Sequence, residues 1–76
     1  GGFQLTSGSS IKNTTIKNTN SSQLWNAVEF TGDATIENST IISEGYAITT
    51  GFGAKATVKN CSVESELYAY CISYWW

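Results

Sequence analysis

Three stretches of this chain superpose position by position, and that repeat constrains the fold more than any other feature. They are Ser10-Ile11-Lys12-Asn13-Thr14-Thr15-Ile16, Thr35-Ile36-Glu37-Asn38-Ser39-Thr40-Ile41 and Thr57-Val58-Lys59-Asn60-Cys61-Ser62-Val63. The asparagines lie 25 residues apart from 13 to 38 and 22 apart from 38 to 60. Repetition on this scale marks stacked architectures, in which each unit covers the apolar face of its neighbour. The period is too long for a hexapeptide solenoid and lacks the leucine ladder of leucine-rich repeats, so it suits a three-sided coil. A chain of 76 residues hides little of its surface as a lone globule, and stacking supplies the missing core.

Each repeat holds a β-branched residue, a charged residue, Asn, two small residues and a second β-branched residue, with no helical stripe. That pattern predicts two short strands around a bend. Asn tolerates the left-handed backbone of a tight turn, and its amide can bond to its equivalent in the next coil. Asn13, Asn38 and Asn60 are therefore expected to form an asparagine ladder. A second alignment, Asn26-Ala27-Val28 with Tyr46-Ala47-Ile48 and Tyr68-Ala69-Tyr70, predicts a third strand per coil. Ile16 and Ala27 stand 11 residues apart, whereas Ile41 and Ala47, like Val63 and Ala69, stand 6 apart. The first coil thus carries a five-residue insertion within residues 17–24, read as a protruding loop. The whole is one domain, 1–76, with coils at roughly 5–30, 31–52 and 53–76.

Strand alternation predicts three inward stacks: Ile11, Ile36 and Val58; Ile16, Ile41 and Val63; Val28, Ile48 and Tyr70. Lys12, Glu37 and Lys59 fall in an outward column of alternating charge. The Ile-x-Asn-x-x-Ile/Val element resembles the strand, asparagine turn, strand corner of the pectin-lyase-like superfamily, across nearly the whole chain. The resemblance implies an all-β fold, a right-handed parallel β-helix, or β-solenoid, of about three uncapped coils of 22 to 25 residues.

Pectin-cleaving members of that superfamily use clustered Asp carboxylates, with Ca²⁺ and a basic residue in lyases. This chain has Asp33 alone, no Arg or His, and Glu29, Glu37, Glu44, Glu64 and Glu66 placed singly along the sequence. No catalytic residue of the family carries over, and the expectation is a protein that is not an enzyme. Two Cys without His do not make a zinc site, and no loop is carboxylate-dense enough for calcium, so no metal or cofactor is expected.

Charge and hydropathy narrow the partners. A net charge of −2, with Lys12, Lys17, Lys55 and Lys59 as the basic side chains, lacks the basic footprint of a nucleic-acid binder. No apolar run approaches the roughly 20 residues of a spanning helix, so membrane insertion is not expected. Cys61 and Cys71 are a candidate disulfide; the alternative makes Cys61 a small core residue and turns Cys71 outward. Asn13, Asn20, Asn38 and Asn60 each begin an N-x-Ser/Thr acceptor. Three of these belong to the ladder, which leaves Asn20, in the inserted loop, as the preferred glycosylation site. The aromatics Trp25, Tyr46, Tyr68, Tyr70, Tyr74, Trp75 and Trp76 suit either a platform for sugar rings or plain packing.

A solenoid needs covered ends, because open strand edges pair with other chains. Gly1-Gly2-Phe3-Gln4-Leu5 is too short for a capping helix, and Cys71-Ile72-Ser73-Tyr74-Trp75-Trp76 is apolar and aromatic. Phe3, Leu5, Ile72, Tyr74, Trp75 and Trp76 are the expected subunit junction. Head-to-tail contacts do not close on themselves, so they build an open filament. The expected role is an extracellular structural subunit that stacks on its own copies into a filament or surface appendage. The other reading is a segment of a larger β-helical adhesin or polysaccharide-binding protein, with glycans as partners.

Overall fold

Runs of three to five residues rich in Ile, Val, Thr and Tyr, punctuated by Asn, Gly and Ser, form short strands joined by tight corners. The computed structural model describes residues 2–21, 26–51 and 53–67, and the backbone of 70–72. These residues form ten strands: β1 (Phe3–Leu5), β2 (Ser10–Lys12), β3 (Thr15–Asn18), β4 (Asn26–Phe30), β5 (Ala34–Glu37), β6 (Thr40–Ser43), β7 (Tyr46–Thr50), β8 (Ala56–Lys59), β9 (Ser62–Ser65) and β10 (Tyr70–Ile72). No helix occurs among the described residues.

The strands assemble into three sheets, all paired in parallel. Sheet A runs β1-β4-β7-β10, sheet B β2-β5-β8 and sheet C β3-β6-β9. Each strand pairs with the strand three elements further along, so the chain visits the sheets in rotation and returns one strand over. This all-β, parallel topology is compatible with a parallel β-helix. The repeat sets the register: Ile11 pairs with Ile36 and Ile36 with Val58, while Ile16 pairs with Ile41 and Ile41 with Val63. In sheet A, Phe3, Val28, Ile48 and Tyr70 share one row, and Leu5, Phe30, Thr50 and Ile72 another.

The core lies between the sheets. Val28, Phe30, Ile36 and Ile41 are wholly buried, and Ala27, Ala34, Ala47, Ile48 and Ala54 join them. Each large side chain so enclosed contributes about 1.5–3 kcal/mol through lost apolar contact with water. Ile11, Val58 and Val63, in the outer circuits, are only partly buried against this cluster. Thr49 and Thr50 are buried too, and among the described residues their hydroxyls find no hydrogen-bond partner.

The corners differ in kind. Passage from sheet B to sheet C turns on Asn in every circuit, whereas passage from sheet A to sheet B uses Gly8 (φ 85°) and Gly53 (φ 76°). Glycine meets no steric penalty in that left-handed region. The passage from sheet C to sheet A varies in length, with residues 19–25 between β3 and β4 against Glu44 and Gly45 between β6 and β7. The inserted residues thus fall at a corner and leave the strand register intact.

Candidate functional site

Asn13, Asn38 and Asn60 occupy equivalent corners with φ of 54°, 53° and 51°. Such values are costly for most side chains and tolerated by Asn. The backbone ladder runs through these corners: the Asn13 N–H donates to the Glu37 carbonyl at 3.1 Å, and the Asn38 N–H to the Lys59 carbonyl at 3.0 Å. The side chains behave differently from the ladder expected. All three are exposed, and no hydrogen bond joins their amides. The left-handed turn leaves each amide on the solvent side of the bend.

The residue after each Asn makes the side-chain contacts instead. Ser39, 4% exposed, donates through its hydroxyl to the Glu37 carbonyl at 2.9 Å, and its Oγ accepts the Thr14 N–H at 3.2 Å. Thr14 likewise donates to the Lys12 carbonyl at 2.8 Å, and the Cys61 thiol to the Lys59 carbonyl at 3.1 Å and the Ile36 carbonyl at 3.6 Å. Thr14, Ser39 and Cys61 thus repeat one device, a small donor that bonds the carbonyl two residues back. A small polar residue directly after Asn in every repeat was the sequence signal for it.

Cys61 is a free thiol. It stands at the corner between sheets B and C, while Cys71 pairs with Thr49 in sheet A, so the two belong to different parts of the stack. The Cys71 side chain lies outside the described residues. Asn20 is exposed in the loop after β3; its N–H donates to Asn18 Oδ1 at 3.1 Å and its carbonyl accepts from Asn18 Nδ2 at 3.0 Å.

Polar groups also pair between circuits. Lys12, Glu37 and Lys59 stack in register, with Lys12 Nζ 4.0 Å from Glu37 Oε1. Gln4 Nε2 donates to Glu29 Oε1 at 3.1 Å, Asn18 Nδ2 to Ser43 Oγ at 3.0 Å, and the Lys55 N–H to Asp33 Oδ1 at 2.9 Å. Among the described residues, no three His, Cys, Asp or Glu side chains converge as a metal site, and no helix is long and apolar enough to cross a membrane.

Both ends of the stack are open among the described residues: β1, β2 and β3 have no strand on one side, nor do β10, β8 and β9. The β1–β3 end holds a recess of ≈ 260 Å³ lined by Gly2, Phe3, Ile16, Lys17, Asn26 and Ala27, among others. A second recess, ≈ 220 Å³, runs between β6 and β9 and is lined by Ile42, Ser43, Ser65 and three carboxylates, Glu44, Glu64 and Glu66. The one-circuit offset thus brings Glu44 to the same recess as Glu64 and Glu66.

Of the expected junction residues, Phe3 is 60% exposed on the edge strand. Leu5 is not available: it is 6% exposed and packed in the core, because its carbonyl holds the Thr31 and Gly32 N–H groups and its row continues into Phe30. Ile72 is on the β10 edge by backbone, and its side chain, with Tyr74, Trp75 and Trp76, lies outside the described residues. Of the expected sugar platform, Tyr46 is half-buried. The side chains of Trp25, Tyr68 and Tyr70 lie outside the described residues. No protein-family model, curated protein or solved structure matches the chain.

Proposed function

We propose that this chain is a right-handed parallel β-helix of the pectin-lyase-like type, serving as a non-catalytic extracellular subunit that stacks head to tail into a filament or surface appendage. The observation that carries this reading is the pair of open ends. Among the described residues, three strand edges at each end have no partner strand, and Ile11, Val58 and Val63 beside them are half-covered where Ile36 and Ile41 in the middle circuit are wholly covered. Such edges pair with further strands. Phe3 supplies exposed apolar surface beside them.

A continuation of the same chain would cover the ends equally well, which is the second reading: a segment of a longer β-helical adhesin or polysaccharide-binding protein. In that case the exposed acceptor asparagines, Asn20 and the three corner residues, or the Tyr46 face, meet glycans. Electron microscopy of the native material, together with its intact mass, separates the two. Fibres repeating at three strand spacings, about 14–15 Å per subunit, are expected of the filament. A parent chain well above 8.2 kDa with no fibres would replace it with the second reading.

A further inference from the structure

We propose that the contact between copies continues sheet C in register, with β3 of one copy laid parallel on β9 of the next so that Lys17 meets Glu64. This rests on the head-to-tail reading above and adds to it a register and a polar pair.

Sheet C is the side of the stack where the two ends differ most in charge. Its columns run Thr15-Thr40-Ser62, Ile16-Ile41-Val63 and Lys17-Ile42-Glu64. One further step places Thr15 of a second copy beside Ser62, Ile16 beside Val63 and Lys17 beside Glu64. Each is a pairing of a kind the chain already uses between its own circuits: Thr15 on Thr40, Ile16 on Ile41, and Lys12 on Glu37 at 4.0 Å.

Apart from Ile16, which is sheltered at 5%, the residues at the two ends of sheet C are less covered than those between them. Thr15 and Ser62 are exposed while Thr40 between them is half-buried, and Val63 is half-buried while Ile41 is wholly covered. Among the described residues, the β9 side gathers Glu44, Glu64 and Glu66 with no lysine in their recess, and the β3 side presents Lys17 with no carboxylate in its own. Charge complementarity of this sort selects a partner and its register. The chain carries both halves, so the occupant is a second copy.

The same step in sheet B brings Lys12 near Lys59. Both are exposed, and the Lys12 side chain, at 62%, already leans on Glu37, so two long lysines can splay into water there. Sheet C is therefore the attractive side of the junction and sheet B the tolerant one.

Charge exchange tests this in the full chain. Lys17→Glu and Glu64→Lys are each expected to raise the concentration at which sedimentable material forms, by about threefold or more at low salt, and the double exchange to restore it. High salt is expected to shrink the difference. Circular dichroism of each variant confirms that these exposed substitutions leave the strands intact. If the unchanged chain assembles and the double exchange is no better than the singles, the register is wrong and the head-to-tail reading stands. If the unchanged chain forms no assemblies at any concentration, both are overturned.

Discussion

The middle circuit and the outer two carry the same kinds of residue in the same columns, yet they are not buried alike. Ile36 and Ile41 are wholly enclosed, while Ile11, Val58 and Val63, their neighbours in register, are half-covered. Ile16 and Leu5 are exceptions in the first circuit, at 5% and 6% exposed. In the columns of Ile36 and Val63, burial follows position in the stack more than the identity of the residue. A β-branched side chain between two circuits is core; the same side chain at an end is half a core, waiting for a neighbour.

The largest effect should come from removing that enclosed volume. Ile36→Ala is expected to cost about 3 kcal/mol and Ile11→Ala less than half as much, read from urea midpoints of the unassembled chain. Equal losses would break the comparison. If a second copy covers the ends, the gap between the two variants narrows in assembled material, which sharpens it.

Smaller is the effect of the corner hydroxyl. Ser39→Ala removes a buried acceptor from the Thr14 N–H and should lower stability by about 1–2 kcal/mol, whereas Thr14→Ala, at an exposed position, should change it by a few tenths. Thermal unfolding of the two variants side by side checks the ranking, and a larger loss at Thr14 would reverse it.

The asparagine corner itself serves as a control. Asn13→Ala, Asn38→Ala and Asn60→Ala should each cost about 1 kcal/mol, because their φ angles of 54°, 53° and 51° impose the same local strain in all three circuits. Glycine at the same positions relieves that strain. Native-state hydrogen exchange across the adjoining strands would read the effect. A cost confined to the middle circuit would show that the corner depends on packing after all.

Much of the architecture was legible before any coordinates. Matching Ile11, Ile36 and Val58 by sequence position fixed the register of sheet B, because each repeat has the same spacing around its Asn and a slip of one would turn every side chain over. The loop insertion was legible from length alone. What escaped were features of the third dimension. The amide ladder was inferred from composition, and the left-handed turn sends those amides to water while Ser39 does the bonding. Leu5 looked terminal, yet its row in sheet A runs into Phe30 and buries it. Glu44 lines the same recess as Glu64 and Glu66 only because one circuit stands over another. Thr49 and Thr50 are adjacent polar residues that strand alternation would send to opposite faces, and both are covered.

The rotation of the chain through its three sheets has a kinetic side. Every strand pairs with one a full circuit away, as Ile11 does with Ile36, so no ladder bond can form between near neighbours in sequence. The first pairing must close a long loop before any bond compensates for the lost freedom, and pairings so distant make a fold slow to begin. Once one circuit exists, its edge is a template on which the next closes against a ready surface. Such a molecule has a difficult start and an easy continuation, and any edge already formed, whether in its own chain or another's, acts as a seed.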